Sequence, residues 1–250
     1  MGKEVNRVQI IILAAGNGSR MKSDLPKVMH KVGNTPMLEM VLKNAAQVTN
    51  DIILVYSEQL KKYLAPYKNI CRFVLQKEPL GTAHAVYSAL NLIDDNKITI
   101  VLYGDHPLIT PKVIEELINH LEVTNSAIAT LSFERDDPAQ CGRIITDDRN
   151  NFLEIVEFKN ATEEEKKITH CNSGVMAFAP EVLKTYLPEF EFKVGGKEFY
   201  LTEIVRICAD YAGSISYLLS EDYNLIIGVN TQEELEEANN IFLHKTIKYS

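Results

Sequence analysis

The sequence predicts an α/β protein, a sandwich built on a mostly parallel sheet, and three observations lead there. Short apolar runs alternate along the chain with longer stretches of helical periodicity. The runs are continuous in Ile, Val and Leu instead of alternating with polar residues. The 250 residues contain no Pro/Gly/Ser-rich linker and no internal repeat. Continuous strands belong to sheets covered on both faces, and interposed helices supply the covers. A chain of this length can bury a sizeable single core.

In chain order, strands are expected at Val8–Leu13, Ile52–Val55, Arg72–Leu75, Ile98–Leu102 and Ala127–Ser132. Further candidates are Arg143–Thr146, Leu153–Phe158, Gly174–Ala179, Ile215–Leu218 and Ile226–Gly228. Helical patterns fall at Pro36–Val48, Ala83–Leu92, Pro111–Leu121, Tyr200–Ala212 and Thr231–Lys245. Helices between successive strands make the parallel arrangement the natural one. The stretch Ala139–Ala179 is richer in short strands and loops and reads as a small antiparallel lobe beside the main sheet.

Composition excludes several classes. No segment approaches the roughly 20 apolar residues that cross a bilayer, and the apolar run near the start is too short for a signal-peptide core, so no membrane partner and a cytoplasmic location are expected. Cys71, Cys141, Cys171 and Cys208 show no CxxC spacing, which favours reduced thiols over a disulfide frame or zinc knuckle. A net charge of −8 argues against nucleic acid as a partner. Locally the sign reverses: Arg20, Lys22, Lys27 and Lys31 face one acid, Asp24, between positions 20 and 31. Such a basic island suits a small polyanion, although a solvated basic face reads the same way.

Ligands of open α/β sheets sit beyond the carboxyl ends of the strands. The first strand runs out into Leu13-Ala14-Ala15-Gly16-Asn17-Gly18-Ser19-Arg20-Met21, with Pro26-Lys27 following. Two glycines there permit close approach of backbone N–H groups to a phosphate or base. A dinucleotide fingerprint fails because Met21 stands where a third glycine or alanine is required, and a P-loop fails because Gly18-Ser19-Arg20 replaces Gly-Lys-Ser/Thr. What remains is a glycine turn loaded with cations, Arg20 for bidentate phosphate binding and Lys27 as a compact charge. Alone, such a turn is as compatible with a plain strand-to-helix connection.

Leu-Ala-Ala-Gly-x-Gly-Ser-Arg-Met followed by Pro26-Lys27-Val28 resembles the signature of the sugar nucleotidylyltransferase family. The longer match through His30 resembles its N-acetylglucosamine-1-phosphate uridylyltransferases, whose domain is a Rossmann-like three-layer α/β/α sandwich with a mixed, mostly parallel sheet. The likeness runs from Ile10 to about Asn230. It implies one nucleotidyltransferase domain over 1–250 with a sugar-binding lobe inserted around 139–212. Relatives commonly continue into a C-terminal β-helix acetyltransferase domain; it is absent from these 250 residues, whether the natural protein is longer or single-function being left open.

Residue by residue, the resemblance places the nucleotide on Leu13, Ala14, Ala15, Gly16 and Gly18, and on Gln76, Gly81 and Thr82 of a Gln-x-x-x-Leu-Gly-Thr-x-His-Ala stretch. Gln offers the donor and acceptor that a uracil edge requires; read without the likeness, Thr82 is a helix N-cap, and His84 reads as a packed histidine. Tyr103-Gly104-Asp105 at the end of the Ile98–Leu102 strand and Gly228-Val229-Asn230 match the family's metal motifs. Asp105 and Asn230 then hold Mg²⁺, a hard cation that shares protein oxygens with substrate phosphates; helix capping is the other reading of Asn230. His106, beside Asp105, lacks the ligand spacing of a transition-metal site. Tyr103, Gly104, Gly142, Glu157, Asn172, Tyr200 and Thr202 are implied for the sugar phosphate, though by themselves they are turn glycines, a strand-face acid, a turn Asn and a helix start. Arg20 and Lys27 are the implied catalytic cations. Ser19, Cys141, Ser173 and Glu203 depart from the family's usual residues, Cys141 nearest the sugar.

The expected reaction is uridylyl transfer from UTP to N-acetylglucosamine 1-phosphate, with Mg²⁺ as cofactor, for peptidoglycan and other cell-envelope precursors. Glucose 1-phosphate or another base, and a non-catalytic nucleotide-sugar sensor, stand as alternatives. Oligomeric state is left open.

Overall fold

The structure, a computed structural model, describes residues 7–193, 198–210 and 214–248. The chain runs β1 (Val8–Ala14), the hairpin strands β2 (Lys31–Val32) and β3 (Thr35–Pro36), α1 (Met37–Val48), β4 (Ile52–Tyr56), β5 (Arg72–Leu75) and α2 (Thr82–Ser88). It continues through β6 (Ile98–Tyr103), α3 (Pro111–Thr124), β7 (Ile128–Glu134), β8 (Gly142–Thr146), β9 (Phe152–Val156) and β10 (His170–Phe178). Last come α4 (Val182–Tyr186), α5 (Glu203–Asp210), β11 (Ile215–Leu219) and α6 (Gln232–Lys248).

The main sheet has the order β11-β7-β10-β6-β1-β4-β5, with β8 and β9 extending from β10. β1 pairs in parallel with both β4 and β6, β4 with β5, and β7 with β11; β10 is antiparallel to β6, β7 and β8. All seven residues of β1 are buried, as its unbroken apolar run requires. Ile10 and Ile12 join the core under α1 and α3 with Leu38, Leu42, Ile114 and Leu117. Ile11 and Leu13 point to the opposite face, where Ala83, Val86, Leu183 and Val205 of α2, α4 and α5 cover them. Two helical layers on one twisted sheet give the three-layer sandwich expected from the sequence.

Local chemistry sets the boundaries that matter. Thr110 caps α3, its hydroxyl accepting from Val113 N–H at 3.3 Å, and Pro111 fills the first helical position, where its missing N–H costs nothing. Asn125 closes α3 in the left-handed region (φ 50°).

Four expectations are corrected. Ile226–Gly228 is not a strand: a 3₁₀ turn at Tyr223–Leu225 precedes it, and Val229 N–H donates to the Asp105 carbonyl at 2.9 Å, anchoring the segment to the exit of β6. Ile226, Ile227 and Val229 are apolar because they are buried, not because they pair. The Ala83–Leu92 helix breaks after Ser88 into a 3₁₀ turn at Leu90–Leu92. The Tyr200–Ala212 helix begins only at Glu203, leaving Tyr200 and Thr202 in the preceding turn; Ala212 lies outside the described residues. Thr82 is not an N-cap; Gly81 holds that position without a side-chain bond. Among the described residues, no helix is long and apolar enough to cross a membrane.

Candidate active site

From β1 the chain moves outward to β4 and β5, then returns to place β6 on the other side of β1. This reversal leaves a crevice beyond the carboxyl ends of β1 and β6, where open α/β sheets bind ligands. The Leu13–Gly18 turn leaves β1 there, and Tyr103-Gly104-Asp105 leaves β6. Gly104 N–H donates to the Leu13 carbonyl at 2.9 Å, lacing the two exits together. A Cβ on Gly104 would sit 3.2 Å from the Val28 side chain and 3.3 Å from that of Ala14, a tight fit that glycine relieves.

Four of the expected residues converge on one point. The Lys27 ammonium forms a buried ion pair with Asp105 Oδ2 and donates to Asn230 Oδ1 at 2.9 Å. Arg20 Nη2 reaches the same Asn230 oxygen at 3.0 Å. Gly18 allows this: at φ 59°, it lies where a Cβ would be 2.7 Å from that of Lys27. Burial pushes the Asp105 carboxyl up, but the adjacent Lys27 charge and His106 outweigh it and hold the group below its ordinary value. His106 is itself driven down by burial, against the pull of Asp105.

Asn230 is free to serve the site because its neighbours cap α6. The Glu234 carboxylate accepts from the Asn230 and Thr231 N–H groups at 2.6 and 3.0 Å, while the Thr231 hydroxyl accepts from Glu234 N–H at 3.2 Å. This reciprocal capping box replaces the capping role that the sequence left open for Asn230.

The residues fit a hard cation. Asp105 Oδ1 is buried without a hydrogen-bond partner, and an ammonium already bridges Asp105 Oδ2 and Asn230 Oδ1. Among the described residues, no three His, Cys, Asp or Glu side chains form a metal cage. One carboxylate and one amide oxygen suit Mg²⁺, which fills its remaining positions with water and phosphate oxygens.

Next to this cluster lies a cavity of about 590 Å³ bordered by Arg20 and Asn230. Tyr103, Gly142, Glu157, Asn172, Tyr200 and Thr202 line it, so the expected sugar residues are brought together. Their side chains are held by partners. Glu157 accepts from the Thr202 hydroxyl at 2.6 Å. Burial lifts the Glu157 carboxyl above its ordinary value, with Thr202 opposing. Asn172 Oδ1 accepts from the Thr130 hydroxyl at 2.7 Å, leaving its amide N–H groups for a ligand. Tyr103 stacks on His106 with ring centroids 5.3 Å apart, and Gly174, at φ 83°, would place a Cβ 3.0 Å from the tyrosine ring. The lobe wall is stapled by Arg143, 1% exposed, whose guanidinium donates to the carbonyls of Cys141, Ala139 and Lys166.

The Gln76 group sits apart from that cavity, at the end of β5. Gln76 Nε2 donates to the Gly81 carbonyl at 3.1 Å and lies 3.1 Å from His84 Nδ1. His84 packs edge-on against Phe192, as a packed histidine should. Gly81, at φ 110°, makes its close approach to the Phe199 backbone: a Cβ there would be 2.3 Å from the Phe199 carbonyl oxygen. Thr82 bridges the two regions, bordering the cavity while its hydroxyl accepts from Leu201 N–H at 2.8 Å. Ala15 is buried and Gly16 has open space around its Cα, leaving room for a ligand at the turn.

Sequence reasoning missed His106, Gln140, Lys159 and Glu198 at the cavity. Glu198 accepts from Tyr200 Oη at 2.9 Å and from Lys159 Nζ at 3.3 Å, so it belongs to the wall. Only the adjacency of His106 to Asp105 offered a signal in advance.

Comparisons with known proteins bear on the family and the fold. Residues 10–191 match the family described as MobA-like NTP transferase domain. The chain is 38% identical over 246 residues to the "Bifunctional protein GlmU" of Alkaliphilus oremlandii, covering 97% of this chain and 53% of that protein. It is 36% identical to a "Probable UDP-N-acetylglucosamine pyrophosphorylase" of Acanthamoeba polyphaga mimivirus, covering 94% of this chain and 96% of that protein. The chain thus spans about half the length of the bifunctional relative and almost all of the viral one. Among solved structures, a putative glucose-1-phosphate thymidylyltransferase from Bacillus anthracis, crystallised with sucrose, shares the fold. Its TM-score is 0.73 at 20% identity, covering 94% of each chain.

Proposed function

The chain belongs to the MobA-like NTP transferase family, and from that premise we propose that it transfers a uridylyl group from UTP to N-acetylglucosamine 1-phosphate, releasing pyrophosphate and forming UDP-N-acetylglucosamine. The observation that carries this reading is the convergence of two cations, Arg20 and Lys27, with Asp105 and Asn230 at the rim of a cavity walled by hydroxyl-binding side chains.

The attacking sugar phosphate is already an anion at neutral pH, so the step needs alignment and charge neutralisation more than a general base. Arg20 and Lys27 face the triphosphate and pair with the departing pyrophosphate oxygens. Asp105 and Asn230 would hold Mg²⁺, which would supply the positive charge shared between the two substrates' phosphates. Glu157 and Asn172 orient the sugar, Glu157 by accepting from hydroxyls and Asn172 by donating from its amide. Gln76 and the Gly81 backbone are assigned to the base. Tyr103, Gly142, Tyr200 and Thr202 complete the sugar-phosphate wall. UDP-N-acetylglucosamine made this way would feed cell-envelope precursors in the cytoplasm.

The test is pyrophosphate release by the purified chain with Mg²⁺, UTP and a panel of sugar 1-phosphates, then with dTTP or CTP in place of UTP. Turnover is expected to be fastest with UTP and N-acetylglucosamine 1-phosphate. No turnover with any member of the panel would sink the proposal.

A further inference from the structure

Two of the four free thiols, Cys141 and Cys171, meet where β8 pairs with β10. The strands run antiparallel, with Gly142 opposite Asn172 and Arg143 opposite Cys171. Cys141 immediately precedes β8, borders the cavity and packs against the core cluster that holds Cys171. The Cys171 S–H has two acceptors, the Cys141 sulfur and the Thr169 carbonyl at 3.3 Å. Their exposure differs: Cys141 is partly open, whereas Cys171 is 0% exposed. Cys141 is held in a turn and not in the ladder. Its N–H donates to the Pro138 carbonyl at 3.1 Å, and its own carbonyl accepts from the Arg143 guanidinium. A turn adjusts more readily than a paired strand, which lets the two sulfurs reach disulfide geometry.

The four thiols are also unequal in reactivity. That of Cys141 is held below its ordinary value, by the Cys171 hydrogen bond first and then by the Arg143 and Arg135 charges, against burial. Burial pushes Cys71 and Cys208 up, and the hydrogen bond with Cys141 together with burial raises Cys171. The thiolate is the nucleophilic form, so attack begins at Cys141.

We propose that Cys141 and Cys171 are a peroxide-reactive dithiol, a modification site in the wall of the cavity. The Cys141 thiolate attacks a peroxide oxygen; an S–O bond forms, the O–O bond breaks, and the departing hydroxide takes a proton and leaves as water. The Cys171 sulfur then attacks that of Cys141. The S–S bond forms, the S–O bond breaks, and the Cys171 proton passes to the departing hydroxide. Two thiols are thereby oxidised by two electrons, and hydrogen peroxide is reduced to water. A thiol reductant reopens the bridge by exchange. Closure pulls Cys141, and Gly142 with it, against the Gly142–Asn172 pair. That pair stands where the nucleotidyl-transfer reading puts the sugar, and this consequence of the bridge rests on that reading.

The experiment treats the full, reduced chain with hydrogen peroxide, blocks the remaining thiols and maps disulfides by peptide mass. A peptide pair joined through Cys141 and Cys171 is expected, absent after dithiothreitol. In Cys171→Ser, Cys141 should stop at the sulfenic acid and be trapped by dimedone. No bridge, or a bridge to Cys71 or Cys208 in its place, overturns the inference. So does sulfenic acid that accumulates equally in the wild type and in Cys171→Ser. If that variant fails to fold, the peptide map of the wild type decides. Bridging should raise the KM for the sugar 1-phosphate about tenfold, since misplacement on the ångström scale is costly, and leave that for UTP unchanged; dithiothreitol should restore it. An unaltered KM in the bridged protein overturns the effect on the sugar. Turnover without a bridge defeats the dithiol alone, whereas a bridge in a chain without turnover defeats the assigned reaction alone.

Discussion

Lys27 and Asp105 lie 78 positions apart in sequence and meet as one shielded ion pair, which makes their neighbours unequal as targets. Arg20 is exposed, so Arg20→Ala should leave the fold intact and lower kcat about a hundredfold, as loss of one positive contact to the transition state does. Asp105→Ala should abolish turnover and also destabilise the protein by about 3–5 kcal/mol, because it strands the Lys27 ammonium away from water. Urea unfolding of the two variants checks the contrast. Glu157 gives a pH signature. Its carboxyl is raised by burial, so its contribution to stability is present below the ordinary value of 4.5 and is lost as pH climbs through the folded-state value. Glu157→Gln should therefore raise Tm relative to the wild type at pH 7, lose that advantage near pH 4, and bind sugar phosphate more weakly. A Tm difference independent of pH would contradict this. The glycine turn and its cations were legible from spacing alone, because Gly16, Gly18, Arg20 and Lys27 are close in the chain. Which oxygens those cations meet was not legible, since the strands bearing Asp105 and the segment bearing Asn230 are joined only by the fold. His106 was passed over because a single histidine without ligand spacing carries little signal, and its stack on Tyr103 exists only in three dimensions.

Single glycines and caps decide how the connecting elements sit. Gly81 takes φ 110° with the Phe199 carbonyl against its Cα, so Gly81→Ala combines backbone strain with a main-chain clash. A loss of about 2 kcal/mol or more is expected, read as a lower urea midpoint. Thr231→Ala should cost only about 1 kcal/mol by removing one half of the α6 capping box. At this scale, the buried strands were readable because burial on both faces writes an unbroken apolar run. The same signal misled at Ile226–Gly228, where burial without pairing writes similar residues. The β2–β3 hairpin and α4 escaped notice because two-residue strands and a five-residue helix are too short to establish a period.

The molecule as a whole is organised by a nine-stranded sheet that takes in every described strand except the β2–β3 hairpin. Unfolding by urea should thus be a single transition, with far-UV circular dichroism and tyrosine fluorescence coincident; an earlier loss of one signal would show that β8 and β9 melt separately. β10 makes this unity consequential. It lies between β6 and β7 and also carries β8, so the wall meant for the sugar and the exit of β6 are rungs of one ladder. The two sides of the cavity are therefore tied through shared backbone pairing. At its lip, Arg20 Nη1 reaches Gln140 Oε1 at 3.5 Å, so a polyanion drawn to the guanidinium competes with that reach across the mouth.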